Sequence, residues 1–213
     1  MKYIFIKKLA NRPSRRYIIF SLFFLIAVLL LILSCDTTKP YLKSTEPALQ
    51  TAELNEIYVE CLYLNYNDLE KKHGFKGNPF LPPELGLTPK QMIVFDLKIT
   101  NNDSAPVVLN IKDVELNFGD KKYSPMSHLD MDLKIEEYAE RNYILQENRV
   151  AKKFMFPYVT TVRGNSTTSG YMVFMGTFRG NNVPTELILS FKTADKNSAA
   201  DITFAYTLTL MKK

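Results

Sequence analysis

From about residue 55 onward, apolar and polar residues alternate with a period of two, most clearly near the C-terminal end. There Ile202, Phe204, Tyr206, Leu208 and Leu210 interleave with Asp201, Thr203, Ala205, Thr207 and Thr209. Successive side chains of a strand point to opposite faces, so this pattern predicts a strand with one buried and one wet face. In MIVFDLKIT the same holds for Ile93, Phe95, Leu97 and Ile99, and in DVELNF for Val114, Leu116 and Phe118. Shorter runs predict strands at 55–64, 107–111, 121–123, 158–163, 170–177 and 186–192. Turn-forming clusters separate them: NNDSAP from Asn101, FGDKK from Phe118, RGNSTTSG from Arg163 and FRGNNVP from Phe178. About nine short strands with this punctuation predict an all-β fold, an antiparallel β-sandwich.

Two segments depart from the alternation. Asn67, with Glu70 three residues on and Gly74 beyond, predicts a short capped helix, followed by the long loop FKGNPFLPPELGLTPK. Residues 132–156 are rich in helix formers and place Ile135, Ala139 and Tyr143 at four-residue spacing. They predict a helix or helical hairpin inserted between two strands.

The N-terminal region has a different pattern. Lys2, Lys7, Lys8, Arg12, Arg15 and Arg16, with no acid among them, precede the apolar run from Tyr17 to Leu33. This is a charged n-region followed by an h-region. The run ends in Ile32-Leu33-Ser34-Cys35 and gives way to polar sequence containing Pro40 and Pro47. The four residues resemble the lipobox of bacterial lipoprotein signal peptides. That resemblance implies cleavage before Cys35 and attachment of a diacylglyceryl group to its sulfur. An uncleaved transmembrane anchor ending near Cys35 also fits a 17-residue apolar run. On the lipoprotein reading the chain divides into a signal peptide at 1–34, a flexible tether at 35–53 and one domain at 54–213. The protein is then expected in a bacterial cell envelope, held to a membrane by lipid on the extracytoplasmic side, with inner and outer membrane both open.

Charge looks different once this leader is set apart. Removing its six bases from the chain's 27 leaves 21 against 22 acids, so the basic character belongs to the leader and no nucleic-acid partner is expected. Of the two cysteines, Cys35 is taken by lipid, which leaves Cys61 without an intramolecular partner and predicts no disulfide. Cys61 lies in the strand-like run EIYVECLYLN and is expected to be a small buried hydrophobe.

The stretch from Met92 to Tyr123 carries a further resemblance. Thr100-Asn101-Asn102 closes one strand, Gly119-Asp120-Lys121-Lys122-Tyr123 forms a hairpin, and Gly170-Tyr171-Met172-Val173-Phe174 opens a later strand. Together these are similar to the immunoglobulin-like domain of unknown function found in many bacterial lipoproteins and secreted antigens. The order Gly119-Asp120 departs from the family's usual Asp-Gly. The resemblance implies an immunoglobulin-like sandwich in an exported setting and no shared catalytic residues.

Candidate chemistry is sparse. If SHLDMD is extended, His128, Asp130 and Asp132 share one face, a set of ligand types suited to a divalent metal; the alternative is a plain polar loop. No phosphate loop, nucleophile elbow or paired-Cys site occurs, and no cofactor and no enzymatic activity are expected. The apolar loop, with Phe75, Phe80 and Leu81, is the candidate contact for an unidentified protein or envelope partner. Its side chains equally suit closure of one end of the sandwich. The expected function is a non-enzymatic binding module on a lipid anchor. The alternatives are a structural envelope-assembly protein joined through strand edges and, last, a metal-dependent enzyme centred on His128.

Overall fold

The computed structural model describes residues 41–73, 91–139, 153–193 and 199–211. The predicted alternation becomes strands β1 (Tyr41–Ser44), β2 (Leu49–Leu54), β3 (Ile57–Leu64), β4 (Gln91–Asn101) and β5 (Val107–Phe118). These are followed by β6 (Lys121–Tyr123), β7 (Val159–Val162), β8 (Ser166–Gly176), β9 (Val183–Thr193) and β10 (Ala199–Met211). Helix α1 (Tyr66–His73) follows β3, and α2 (His128–Ala139) follows β6. All strand pairs are antiparallel. One sheet has the order β1-β10-β9-β5-β6, with β7 also on β5, and the other has the order β2-β3-β4-β8. In the first, β10-β9-β5-β6 neighbour one another like strands G, F, C and C′ of immunoglobulin variable domains. In the second, β4 precedes β5 in the chain yet lies beside β3, a place held in those domains by a strand later than C.

The core is what the alternation predicts. Ile57, Val59, Cys61 and Tyr63 of β3 and Ile93, Phe95, Leu97 and Ile99 of β4 face Ile202, Phe204, Tyr206 and Leu208 of β10, all buried. Two tyrosines tie the sheets together in opposite senses. Tyr206 of β10 donates its hydroxyl to the Cys61 carbonyl at 3.1 Å, and Tyr63 of β3 donates to the Leu42 carbonyl of β1 at 3.0 Å. Burial raises both phenols well above their ordinary range, so they stay protonated donors. Cys61 is a buried free thiol that burial pushes up to about 12. It is therefore protonated and unreactive, as a small hydrophobe should be.

Four expectations are corrected. The flexible tether at 35–53 does not extend to residue 53, because β1 and β2 occupy 41–44 and 49–54 and the compact unit begins at Pro40. The two strands run in the same sense but in different sheets, β1 on β10 and β2 on β3, with Pro47 in the crossing between them. Such sheet-switching edge strands show little alternation: Leu49 and Leu54 are exposed, and the β2–β3 turn is Asn55-Glu56, both at positive φ, rather than Asn-Gly. Next, the runs at 107–111 and 113–118 are one strand. Its register shifts between Leu109, opposite Phe191, and Val114, opposite Leu189, and Asp113 at this bulge pairs with Lys192. The Gly119-Asp120 order has a local cause as well. Gly119 has φ 57° and opens a two-residue hairpin loop, the arrangement of a II′ turn with glycine first.

Finally, α1 is capped two residues earlier than expected. Asn65 Oδ1 accepts from the amides of Asn67 and Asp68, and the Asp68 carboxylate accepts from the Asn65 amide, which makes Asn65 and Asp68 the reciprocal pair. The helical insert begins at His128, four residues before the predicted start.

Candidate functional site

Cys35, Phe75, Phe80 and Leu81 lie outside the described residues. Among the described residues, no helix is long and apolar enough to cross a membrane.

The His128 set is placed, and its three residues do not share one face. These residues open a helix, where i and i+4 share a face but i+2 lies opposite, so Asp130 points away from His128 and Asp132. Asp130 and His128 also have other partners. Ser127 and Asp130 form a capping box, with the Asp130 carboxylate 2.8 Å from the Ser127 amide and the Asp130 amide 3.1 Å from the Ser127 hydroxyl. His128 Nε2 donates to the Met155 carbonyl at 3.2 Å. Among the described residues, no group of three or more His, Cys, Asp or Glu converges.

Helices α1 and α2 cover the outer face of the four-stranded sheet. Leu69 of α1, Met131 of α2, Met126 and Met155 bury Val94 of β4 and Val173 of β8 in a second, smaller core. The polar positions of that face also form a cluster. Lys72 makes an ion pair with Asp96 at 2.7 Å, and its ammonium lies 4.9 Å from the Tyr171 ring centre. His73 Nε2 is 3.1 Å from the Tyr171 hydroxyl, and Phe154 stacks on the same tyrosine at 5.9 Å. Burial lowers the His73 pKa, the neighbouring Lys72 lowers it further, and burial raises that of Tyr171. Both are neutral at pH 7. A neutral tyrosine and histidine beside the Lys72–Asp96 ion pair hold α1 against the sheet.

The same segment seals an edge. Tyr171 of β8 donates its amide to the Phe154 carbonyl and accepts from the Phe156 amide at 3.1 Å, while Val173 accepts from the Met126 amide at 2.7 Å. The outer edge of β8 is thus partly occupied and does not offer a continuous ladder to another chain. Sequence reasoning missed this covering because it rests on isolated residues of non-repetitive chain. The visible signal is the spacing of Met126 and Met155 around the insert.

An open depression of about 410 Å³ lies at the end of the sandwich where β5 turns into β6, lined by Phe118, Gly119, Asp120, Lys121, Thr177, Arg179 and Val183. Lys121 and Arg179 are exposed and make no ion pair among the described residues, whereas the adjacent Lys122 is held by Glu115 at 2.7 Å. The sequence had marked FGDKK and FRGNN only as turns. That the two lie side by side follows from Gly119 donating its amide to Pro184 at 2.8 Å, a long-range contact that no local pattern encodes.

No known protein family matches the chain, and neither does any curated protein. Among solved structures, the chain is similar to a protein of Bacillus subtilis named as a candidate lipoprotein, ycdA, with TM-score 0.43 and 12% identity over 76% of this chain. The chain spans 39% of the length of that protein. It is also similar to a FixG-related protein of Vibrio parahaemolyticus, with TM-score 0.32 and 5% identity, covering 72% of this chain and 97% of the other. Likenesses this loose bear on neither function nor family.

Proposed function

We propose that the protein is a bacterial lipoprotein, anchored through Cys35 on the extracytoplasmic side of a cell-envelope membrane, whose immunoglobulin-like sandwich is a non-enzymatic binding module. The observation that carries this reading is the juxtaposition of Ile32-Leu33-Ser34-Cys35 with a compact β-sandwich that begins at Pro40. A second support is a pair of exposed leucines, Leu129 (66%) and Leu133 (56%), one turn apart on α2. Large apolar side chains paired on a solvent face are characteristic of contact surfaces. The loop carrying Phe75, Phe80 and Leu81 is the other contact, on its sequence alone. Assembly through strand edges is the weaker reading, since the β8 edge is partly occupied by residues 126 and 154–156.

The double variant Phe80→Ser with Leu81→Ser tests the binding reading. Full-length protein carrying it is expected to lose co-purification of its envelope partner in a cross-linked membrane extract while keeping its thermal unfolding temperature. Unchanged co-purification would remove this loop as the contact.

A further inference from the structure

We propose that the end of the sandwich bearing Lys43, Lys121 and Arg179 rests on the anionic phospholipid headgroups of the anchoring membrane. This rests on the anchoring reading above and goes beyond it, because it fixes which end of the domain meets the lipid.

The first argument is length. Only Asp36 to Pro40 separate Cys35 from Tyr41, the first residue of β1. At no more than about 3.6 Å per residue, the join reaches roughly 20 Å. The sandwich is longer than that, since β10 has 13 residues and at ~3.3 Å each spans about 40 Å. Tyr41 pairs with Met211 at the far end of β10, and the same end holds the start of β9 at Val183, the Phe118–Lys121 hairpin and the end of β8 at Gly176. The join therefore brings this end to the membrane. The opposite end, with the Asn55-Glu56 turn and the turn after Asn101, is held a domain length away.

The second argument is charge. Near Tyr41, Lys43, Lys121 and Arg179 are exposed and have no ion-pair partner among the described residues, against two exposed acids, Asp120 and Glu186. Lys121 and Arg179 border the 410 Å³ depression beside the hairpin, a concavity of headgroup dimensions. Toward the far end the exposed charges are Glu53, Glu56, Asp103 and Asp201 against Lys112 and Arg163. The charge polarity of the domain thus runs along the same axis as the join. A basic end brought within a Debye length of an anionic surface is attracted to it, by about fivefold in the docked ratio for each Lys or Arg.

The test uses full-length protein reconstituted in vesicles of phosphatidylethanolamine and phosphatidylglycerol with a nitroxide on a fraction of the headgroups. Asn181→Cys at the basic end and Ala105→Cys at the far end each receive a thiol-reactive fluorophore; Cys61 is buried and stays unlabelled. The label at residue 181 is expected to be quenched several-fold more than that at 105. Its quenching is expected to fall when Lys121→Gln and Arg179→Gln are combined, or when salt is raised to about 1 M, where the Debye length is ~3 Å. Equal quenching at both positions overturns the proposal, as does quenching at 181 that ignores both charge removal and salt. Intact mass of the N-terminal peptide from the same preparation keeps the two readings apart. A peptide retaining Met1 removes acylation of Cys35 and leaves its thiol open to the fluorophore, so the comparison is then made with Cys35→Ser in both variants, where unequal quenching at 181 and 105 still decides the orientation.

Discussion

Replacing Phe95 with alanine is expected to destabilise the domain by about 3–5 kcal/mol, a large share of the ~5–15 kcal/mol that holds a typical domain folded. Phe95 is fully buried in β4, with ring centres 5.8 Å from Tyr63, 5.5 Å from Tyr206 and 6.1 Å from Phe174. Its ring supports both tyrosines whose hydroxyls cross between the sheets. Truncation therefore leaves a cavity and also loosens the aim of two buried donors. A urea unfolding curve at neutral pH measures the loss from the midpoint. A cost below about 1 kcal/mol, the scale of a surface substitution, would contradict this packing.

The second large effect is expected at Asn101, which is fully buried at the end of β4. Its amide nitrogen lies 2.8 Å from the Ala105 carbonyl, 3.2 Å from that of Val162 and 3.3 Å from that of Arg163. Its oxygen accepts from the Asp103 amide at 3.1 Å. One side chain thus closes the β4–β5 turn and pins it to the turn between β7 and β8. The close approach is also visible at Gly164, where a Cβ would sit 2.0 Å from the Ser104 carbonyl oxygen. Asn101→Ala strips the partner from the buried Val162 carbonyl and from three part-buried groups and is expected to cost about 2–4 kcal/mol. Asn101→Asp preserves shape and the acceptor but has no N–H to offer the carbonyls, so at pH 7 it is expected to cost at least as much. If Asn101→Asp unfolds like the wild type, the donor role assigned to this amide is wrong.

The extent to which the fold is legible in the sequence follows from where its physics is local. Strands β3, β4 and β10 were predicted to within two or three residues at their ends, because each sets a buried row against a wetter one, and the three-residue β6 follows from its hairpin turn. The all-β sandwich follows from those rows and the turns between them. β1 and β2 were hidden because each pairs on only one side, and neither has a regular buried row. The bulge in β5 was read as a break because Lys112 and Asp113 interrupt the alternation, whereas an ion pair to Lys192 carries the strand through. The Met-rich covering of the outer sheet face required knowing that Val94 and Val173, on the nominally wet side of β4 and β8, are fully buried.

Site chemistry was legible to a lesser degree. The resemblance to a lipobox rests on four contiguous residues, Ile32 to Cys35, so the expectation it carries needs no knowledge of the fold. His128, Asp130 and Asp132 looked like ligands only if extended, and the Ser127–Asp130 capping box, present in the sequence as Ser-x-x-Asp, was the signal for a helix instead. The basic end could not be read locally, because Lys43, Lys121 and Arg179 come from three distant turns and strands that meet only through sheet register.

The central claim is that this domain hangs from a lipid on Cys35. It is tested most directly by the intact mass of the N-terminal peptide of the protein purified from its own membranes. The account predicts a peptide that begins at Cys35 and carries the mass of a diacylglyceryl group on sulfur. A peptide that retains Met1 through Leu33 with an unmodified Cys35 would contradict it and make that apolar run a transmembrane anchor.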